Sequence, residues 1–189
     1  LNATGISSGS SGGWGAGGGM EYNSTAQITI TGGTIYVDAS GDGIDSNGDF
    51  TMAGGAVYVS GPTDDGNGAL DYAGSGTITG GTVVAVGSAG MPQSLTAAGS
   101  QGVIMVNVTG GSGSTIAIED ADGTVLASYA PTKSFGNIVI SAPGIEQGGT
   151  YTLHVGSTSV EITMDSLNYG GMGGMGMMGG PGPGMGGRP

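Results

Sequence analysis

Hydrophobic and polar residues alternate along the first half of the chain in three segments that resemble one another. The segments are ITITGGTIYV at 28–37, FTMAGGAVYV at 50–59 and GTITGGTVVA at 76–85. Each contains two short alternating runs, which are typical of β-strands with one buried face. A Gly-Gly pair separates the two runs, and glycine accepts the positive φ angles of a tight corner. The pattern therefore predicts a strand, a corner and a second strand, repeated three times.

Stacking the repeats in register places similar side chains on one another. The predicted inward ladders are Ile28 with Phe50, then Ile30, Met52 and Ile78, then Ile35, Val57 and Val83, and finally Val37, Val59 and Ala85. A second corner, GIDSNG at 43–48, repeats as ALDYAG at 69–74 and as LNATG at 1–5, which predicts further units upstream. Short units in equal register favour a parallel β-helix. A two-sheet sandwich is the alternative.

The regular spacing ends near residue 101, and six further strand-like segments follow. We expect them to form an antiparallel β region that caps or flanks the open end of the helix. The predicted fold is therefore all-β: a right-handed parallel β-helix, then this antiparallel region, then a Gly/Met-rich tail. The predicted parts are coils at 1–100 with a Gly/Ser-rich excursion at 5–24, the cap at 101–168 and the tail at 169–189.

Composition narrows the classes of function. Only 8% of residues are charged, and fourteen acidic residues face two basic ones, which gives a net charge of -12. Nucleic-acid binding requires lysine and arginine to displace counterions from phosphates, so the charge argues against it. The absence of cysteine excludes disulfides and thiolate metal sites. No run of eighteen apolar residues is present, so we expect no membrane span.

The acidic residues concentrate in glycine-rich turns such as GDGIDSNGD at 41–49. The repeat alignment stacks Asn2, Asp45 and Asp71, and two carboxylates one strand apart repel each other by about 3 kcal/mol at an effective dielectric constant of 20. Calcium, which binds six to eight oxygen ligands, would relieve that repulsion. The predicted calcium ligands are Asp42, Asp45, Asn47, Asp64, Asp65, Asn67 and Asp71. The alternative is that these residues only form turns, which aspartate and asparagine favour.

Three strings carry a resemblance to a known family: AQITITGGTIYVDASGDGIDSNGDF, GGAVYVSGPTDDGNGALDY and IEDADGTVLASYAPTKSFGNIVISAP. They are similar to the clostridial-type secreted carbohydrate-binding β-helix proteins, over about residues 26–165. The resemblance implies a pectate-lyase-like fold, calcium binding, and binding of cellulose and polygalacturonate without cleavage. It also implies an extracellular or cell-surface location. The long Gly/Met tail departs from the family pattern.

The sequence offers few groups for catalysis. Its one lysine, Lys133, and its one arginine, Arg188, both lie outside the repeats, and His154 has no evident partner in the sequence. Lyases of this fold remove a proton with a basic residue on the helix face, and no such residue is present there. We therefore expect a non-catalytic protein.

Two functions from different classes follow. In the first, Tyr36, Tyr58 and Tyr72 bind a polysaccharide of the cellulose or polygalacturonate type. Tyr36 and Tyr58 share one outward position, which is equally typical of a cross-strand pair that only stabilises the sheet. In the second, the chain is a subunit of an extracellular fibre and assembles as a homo-oligomer or filament through its strand edges. The residues predicted to support assembly are Trp14, Met172, Met175 and Met178.

Overall fold

A computed structural model of the chain describes residues 1–4 and 22–170, and every regular element within these ranges is a β-strand. None of these residues form a helix, and so none form an apolar helix long enough to cross a membrane. The strands are β1 (Asn2–Ala3), β2 (Gln27–Asp38), β3 (Ile44–Ser46), β4 (Asp49–Ser60), β5 (Leu70–Tyr72), β6 (Gly76–Ile78), β7 (Thr82–Gly87), β8 (Thr96–Ala97), β9 (Val103–Gly110), β10 (Ile116–Glu119), β11 (Val125–Tyr129), β12 (Phe135–Ser141), β13 (Thr150–Val155), β14 (Thr158–Thr163) and β15 (Asn168–Tyr169).

The strands form three sheets. A small parallel sheet has the order β1-β3-β5, and an antiparallel sheet has the order β11-β10-β13-β14. The largest sheet is mixed and follows the order β15-β9-β12-β7-β4-β6-β8, with β2 paired to β4 beside this path. We call these the corner sheet, the C-terminal sheet and the central sheet.

The predicted registers of the repeats are confirmed strand by strand. Strand β2 pairs in parallel with β4, and Ile28 lies opposite Phe50. Strand β4 pairs in parallel with β6 and β7, which extends the ladders to Ile78 and Val83. The corner sheet repeats the same order, with Asp45 between Asn2 and Asp71. Alternation and glycine spacing were therefore sufficient to fix neighbouring strands within the repeats.

The prediction of a right-handed parallel β-helix is wrong as a description of the molecule. The second arm of the repeat stops stacking in parallel at β7, whose other edge pairs antiparallel with β12, and β12 continues antiparallel to β9. The repeat strands therefore belong to a mixed sheet, which continues through the antiparallel strands β12 and β9. The physical reason is that the repeat ends after three units, so the free edge of β7 is satisfied by the next available strand.

The central sheet is covered on both faces where β7 and β12 meet. Val83 of β7 and Val139 of β12 face the core beneath the corner sheet. Val84 and Ile140 face a second core, which the C-terminal sheet closes. This explains why the sequence of β7, TVVAVG, is continuously apolar where its repeat partners alternate. A solenoid strand exposes its outer face, whereas the outer face of β7 is buried.

Candidate functional site

The described residues place three acidic side chains on neighbouring elements at the corner sheet. Asp45 and Asp71 occupy matching positions of β3 and β5, and Asp42 lies in the turn that leads into β3. The amide of Asn2, on β1, donates a hydrogen bond to the Asp45 carboxylate. We call Asn2, Asp42, Asp45 and Asp71 the acidic ladder. It forms because parallel pairing in equal register repeats one side-chain position from strand to strand.

The surroundings of the ladder favour protonation. Burial, together with the negative charges of Asp42 and Asp45 and a hydrogen bond shared with Asp42, raises the pKa of Asp71 to about 6. Burial and the charge of Asp42 also raise the pKa of Asp45, although the hydrogen bond from Asn2 acts in the opposite direction. Gln93 donates a hydrogen bond of 3.2 Å to Oδ1 of Asp71. The ladder therefore favours either a bound proton or a bound cation.

The other predicted calcium ligands lie around the ladder but make contacts of their own. Oδ1 of Asp64 accepts hydrogen bonds from the Gly66 N–H at 3.1 Å and from the Asn67 side chain at 2.9 Å. The carboxylate of Asp65 accepts a hydrogen bond from the Ser88 hydroxyl. Asn47 follows β3, and its backbone N–H donates to the Ala3 carbonyl at 3.0 Å.

One hydrogen bond links the ladder to the neighbouring loop. The N–H of Gly68 donates to Oδ1 of Asp42 at 2.8 Å, directly after the turn that contains Asp64 and Asn67. Carboxylate, amide and carbonyl oxygens, the donor set that calcium prefers, are therefore present here. Within residues 1–4 and 22–170, however, no three acidic or histidine side chains are already arranged to hold a metal ion. Binding would require these side chains to move inward.

Tyrosines form a row across the edge of the second core. The rings of Tyr36 and Tyr58 are stacked with centroids 5.0 Å apart, and the ring of Tyr129 follows Tyr58 at 5.2 Å with a tilt of 35°. Tyr58 and Tyr129 pack against the second core, whereas Tyr36 is 70% exposed. Stacked rings cover each other's faces, so only the outer face of Tyr36 remains open for stacking on a sugar ring.

Tyr72 lies elsewhere in the molecule. It belongs to β5 of the corner sheet and packs against the first core. Its hydroxyl donates a hydrogen bond to the Ser94 carbonyl, and burial raises its pKa. The sequence predicted that Tyr72 binds polysaccharide, but it could not show that Gln93 and Ser94 bond to this residue.

The loop between β11 and β12 binds the end of the tyrosine row. The amine of Lys133 forms an ion pair with Asp38 and donates to the Ala39 carbonyl at 2.6 Å. The Thr132 hydroxyl donates to the other Asp38 oxygen at 2.7 Å, and hydrogen bonds from Lys133 and then Thr132 lower the pKa of Asp38. The hydroxyls of Tyr129 and Ser60 are 2.7 Å apart in the same region. We call this group of contacts the Lys133 clamp.

His154 has partners that the sequence did not indicate. Its Nε2 atom lies 3.3 Å from Glu119, and its Nδ1 atom lies 3.1 Å from the Ser159 hydroxyl. The three residues lie on adjacent strands β10, β13 and β14. Cross-strand pairing brings them together, so only knowledge of the strand order could have revealed the group. The Ser159 side chain is exposed, and this row lies on the outer face of the C-terminal sheet.

The residues predicted to support assembly lie outside the described residues. They are Trp14, Met172, Met175 and Met178. The same holds for most of the 5–24 excursion and of the 169–189 tail.

Comparison with known proteins finds no family model, no curated protein and no solved structure that matches the chain. The resemblance to secreted carbohydrate-binding proteins therefore stays a prediction from the motifs. Function has to be argued from the acidic ladder, the tyrosine row and the strand edges.

Proposed function

We propose that the chain is a non-catalytic extracellular protein that binds calcium at the acidic ladder and, through it, an acidic or cellulosic polysaccharide. The observation that carries the proposal is the raised pKa of Asp71, about 6, in register with Asp45 and beside Asp42. A group of carboxylates that repel one another gains most from a divalent cation, because the cation cancels the repulsion and supplies new bonds.

Calcium suits this position better than a smaller cation. It accepts six to eight oxygen ligands in flexible geometry, and the ladder offers oxygens of mixed type. Asp42, Asp45 and Asp71 would supply carboxylates, and Asn2 and Asn67 would supply amide oxygens. The Asp64 turn is exposed, and its end is joined to the ladder by the hydrogen bond from the Gly68 N–H to Asp42.

An anionic polysaccharide and a chain of net charge -12 repel each other, so calcium is the natural bridge between them. The open face of Tyr36 supplies one surface on which a sugar ring can stack. The ladder and Tyr36 lie on different sheets, so a polymer that contacts both would have to reach from the corner sheet to β2.

The basic groups support a function without catalysis. Lys133 is engaged by Asp38 and by the Ala39 carbonyl. His154 is held between Glu119 and Ser159 on an exposed sheet face. A general base has to lie within hydrogen-bond reach of its substrate proton in a site that positions the substrate.

The test is calorimetric titration of the purified chain with calcium chloride near neutral pH. We expect a saturable signal, and we expect Asp71→Asn to weaken calcium affinity at least about tenfold, because a charged ligand is replaced by a neutral one. Asp122→Asn, in the exposed turn between β10 and β11, removes one charge elsewhere and should leave affinity unchanged. Absence of a signal in the wild-type chain would sink the calcium proposal.

Polysaccharide binding is tested separately, by retention on polygalacturonate and on cellulose with and without a chelator. We expect retention on polygalacturonate to require calcium and to fall with Tyr36→Ala. Equal retention of the wild-type chain and of Tyr36→Ala, with and without chelator, would contradict the proposal.

A second candidate is a structural subunit that assembles through strand edges. The long strand β2 favours it, because among the described strands β2 pairs only with β4. Free strand edges pair readily with a strand of another chain.

A further inference from the structure

The outer face of the C-terminal sheet brings the chain's one histidine close to two of its four glutamates. His154 lies on β13, between β10 and β14, and opposite Ser159 of β14. Glu119 of β10 and Glu161 of β14 both lie opposite Thr152, two residues before the histidine on β13. Each glutamate is therefore a diagonal neighbour of the histidine, at a separation of about 7–8 Å that long side chains can span.

The histidine and both glutamates project from the face that points away from the core. The residues that alternate with them, Ile118, Leu153 and Ile162, are buried in the second core. Because successive side chains of a strand point to opposite faces, the three ionisable side chains share the solvent side of the sheet. Their neighbours on that side, Ala117 and Thr152, are small and leave room for the longer side chains to converge.

The imidazole and Glu119 are already spaced like two ligands of one metal ion. Nε2 of His154 lies 3.3 Å from Oε2 of Glu119. This is longer than the usual N–H···O hydrogen bond of about 2.9–3.0 Å. Nitrogen and oxygen ligands of a tetrahedral zinc ion, each about 2.0–2.2 Å from the metal, are about 3.3–3.5 Å apart. The separation of these two atoms therefore matches a pair of zinc ligands.

Ser159 holds the imidazole ring in the orientation that a metal ligand needs. Its hydroxyl lies 3.1 Å from Nδ1 of His154. When the Nδ1–H group donates to this hydroxyl, Nε2 carries no proton and presents its lone pair toward Glu119. Histidines that bind metals donate their other ring N–H to a fixed polar partner, which sets the tautomer and the ring orientation. Ser159 takes the part of that partner here.

We propose that His154, Glu119 and Glu161 form a binding site for a divalent transition-metal ion of the zinc type on the outer face of the C-terminal sheet. Imidazole nitrogen with carboxylate oxygen is a donor set for such metals, whereas calcium takes oxygen ligands. Nε2 and Glu119 supply two ligands from their present positions. Glu161 is exposed and turns inward to supply the third, and water completes the tetrahedron. This inference goes beyond the proposed function and does not depend on calcium at the acidic ladder.

Calorimetric titration with zinc chloride tests the site in the full chain without a polyhistidine tag. The titration is run in excess calcium chloride, so that the acidic ladder is offered its own cation. We expect one zinc ion per chain to bind saturably, and we expect His154→Gln and Glu119→Gln each to weaken zinc affinity at least about tenfold. A wild-type chain that binds no zinc, or zinc binding that His154→Gln leaves unchanged, overturns the proposal.

The third ligand is tested by a matched pair of variants. Glu161→Gln and Glu146→Gln each remove one exposed carboxylate, and Glu146 lies outside the group, in the turn between β12 and β13. We expect Glu161→Gln to weaken zinc affinity at least about tenfold and Glu146→Gln to leave it unchanged. We expect Ser159→Ala to weaken it about tenfold, because the ring loses its orientation. Equal effects of Glu161→Gln and Glu146→Gln would overturn the three-ligand site.

Nuclear magnetic resonance of the imidazole ring distinguishes this site from the acidic ladder, because the chain has one histidine and its ring signals need no further assignment. We expect zinc to shift the Nε2 resonance while Nδ1 keeps its proton, and we expect calcium to leave both unchanged. Zinc binding should persist in Asp71→Asn, and calcium binding should persist in His154→Gln. Ring signals that stay unchanged at saturating zinc would show a surface histidine–glutamate pair only and would overturn the proposal.

Discussion

Asp71 is the residue whose ionisation has the clearest consequence. Its pKa of about 6 in the folded chain lies above the ordinary value of 3.8. The folded chain therefore keeps this proton at pH values at which the unfolded chain has lost it. The stabilising contribution of protonated Asp71 is complete below the ordinary pKa and is lost as the pH rises through about 6.

We expect Asp71→Asn to stabilise the chain near neutral pH in the presence of a chelator. Asparagine keeps an acceptor for Gln93 and removes the repulsion from Asp42 and Asp45. Because the carboxyl is partly exposed, screening by solvent limits the gain in unfolding free energy to about 1 kcal/mol. Urea denaturation at about pH 7.5 and about pH 4 measures it, and the gain should vanish at the lower pH.

Asp122→Asn is the control for that measurement and should show no such pH-dependent gain. A stabilisation by Asp71→Asn that is equal at both pH values would show that the raised pKa is not its cause.

For individual residues, the sequence predicted the stacking of Asn2, Asp45 and Asp71, because parallel register alone determines it. It could not predict that Asp64 bonds to Asn67 within its own turn or that Asp65 bonds to Ser88 beyond β7, since no periodicity encodes the hydrogen bonds of loop side chains. The sequence also could not predict the surroundings of the Tyr72 ring, because its hydroxyl bonds to a segment more than twenty residues away.

Among the elements, the bent strands β2 and β4 show how a corner is made. Each strand has two arms joined at a Gly-Gly pair. A Cβ atom added at Gly54 or Gly55 of β4 would lie against the backbone of β2. The spacing of the Gly-Gly pairs predicted these corners and their partners. Glycine recurs there because it accepts a positive φ angle and a close neighbouring backbone.

We expect Gly55→Ala and Gly33→Ala to differ strongly in stability. Both introduce a side chain at positive φ, which costs about 1–2 kcal/mol. Gly55→Ala also forces its methyl group against the Gly33 carbonyl. We therefore expect it to lower the free energy of unfolding by about 1–3 kcal/mol more than Gly33→Ala does. Urea denaturation of both variants measures the difference. Equal costs would mean that the two strands are not packed as described.

In the whole molecule, strand β12 contributes side chains to both cores. Ile140 and Ile138 of this strand face the second core, while Val139 faces the first. The sequence predicts strand-like segments after residue 101, of which β12 is one, but it does not predict their partners. Pairing with β7 depends on which edge is free after the repeats end, a property of the assembled sheet and not of the segment. That missing information is why the β-helix prediction failed.

We expect Ile140→Ala to lower the free energy of unfolding by about 2–5 kcal/mol, because it leaves a cavity in a fully buried position. Hydrogen exchange should show amides of β4 and of β13 losing protection together, since β12 links the cores. Val125→Ala, at a position that is 52% exposed, is the control and should change stability little. Loss of protection confined to β13 would show that the two cores unfold independently.

The Lys133 clamp also determines how the chain meets proteases. Arg188 precedes Pro189, a bond that trypsin does not cut, so Lys133 is the chain's one efficient tryptic site. That site lies between β11 and β12, with the lysine amine held by Asp38 and the Ala39 carbonyl. Native chain is therefore cut only when the clamp opens. A single cut would separate the repeat strands from β12, and its rate would report how often the loop leaves the end of β2.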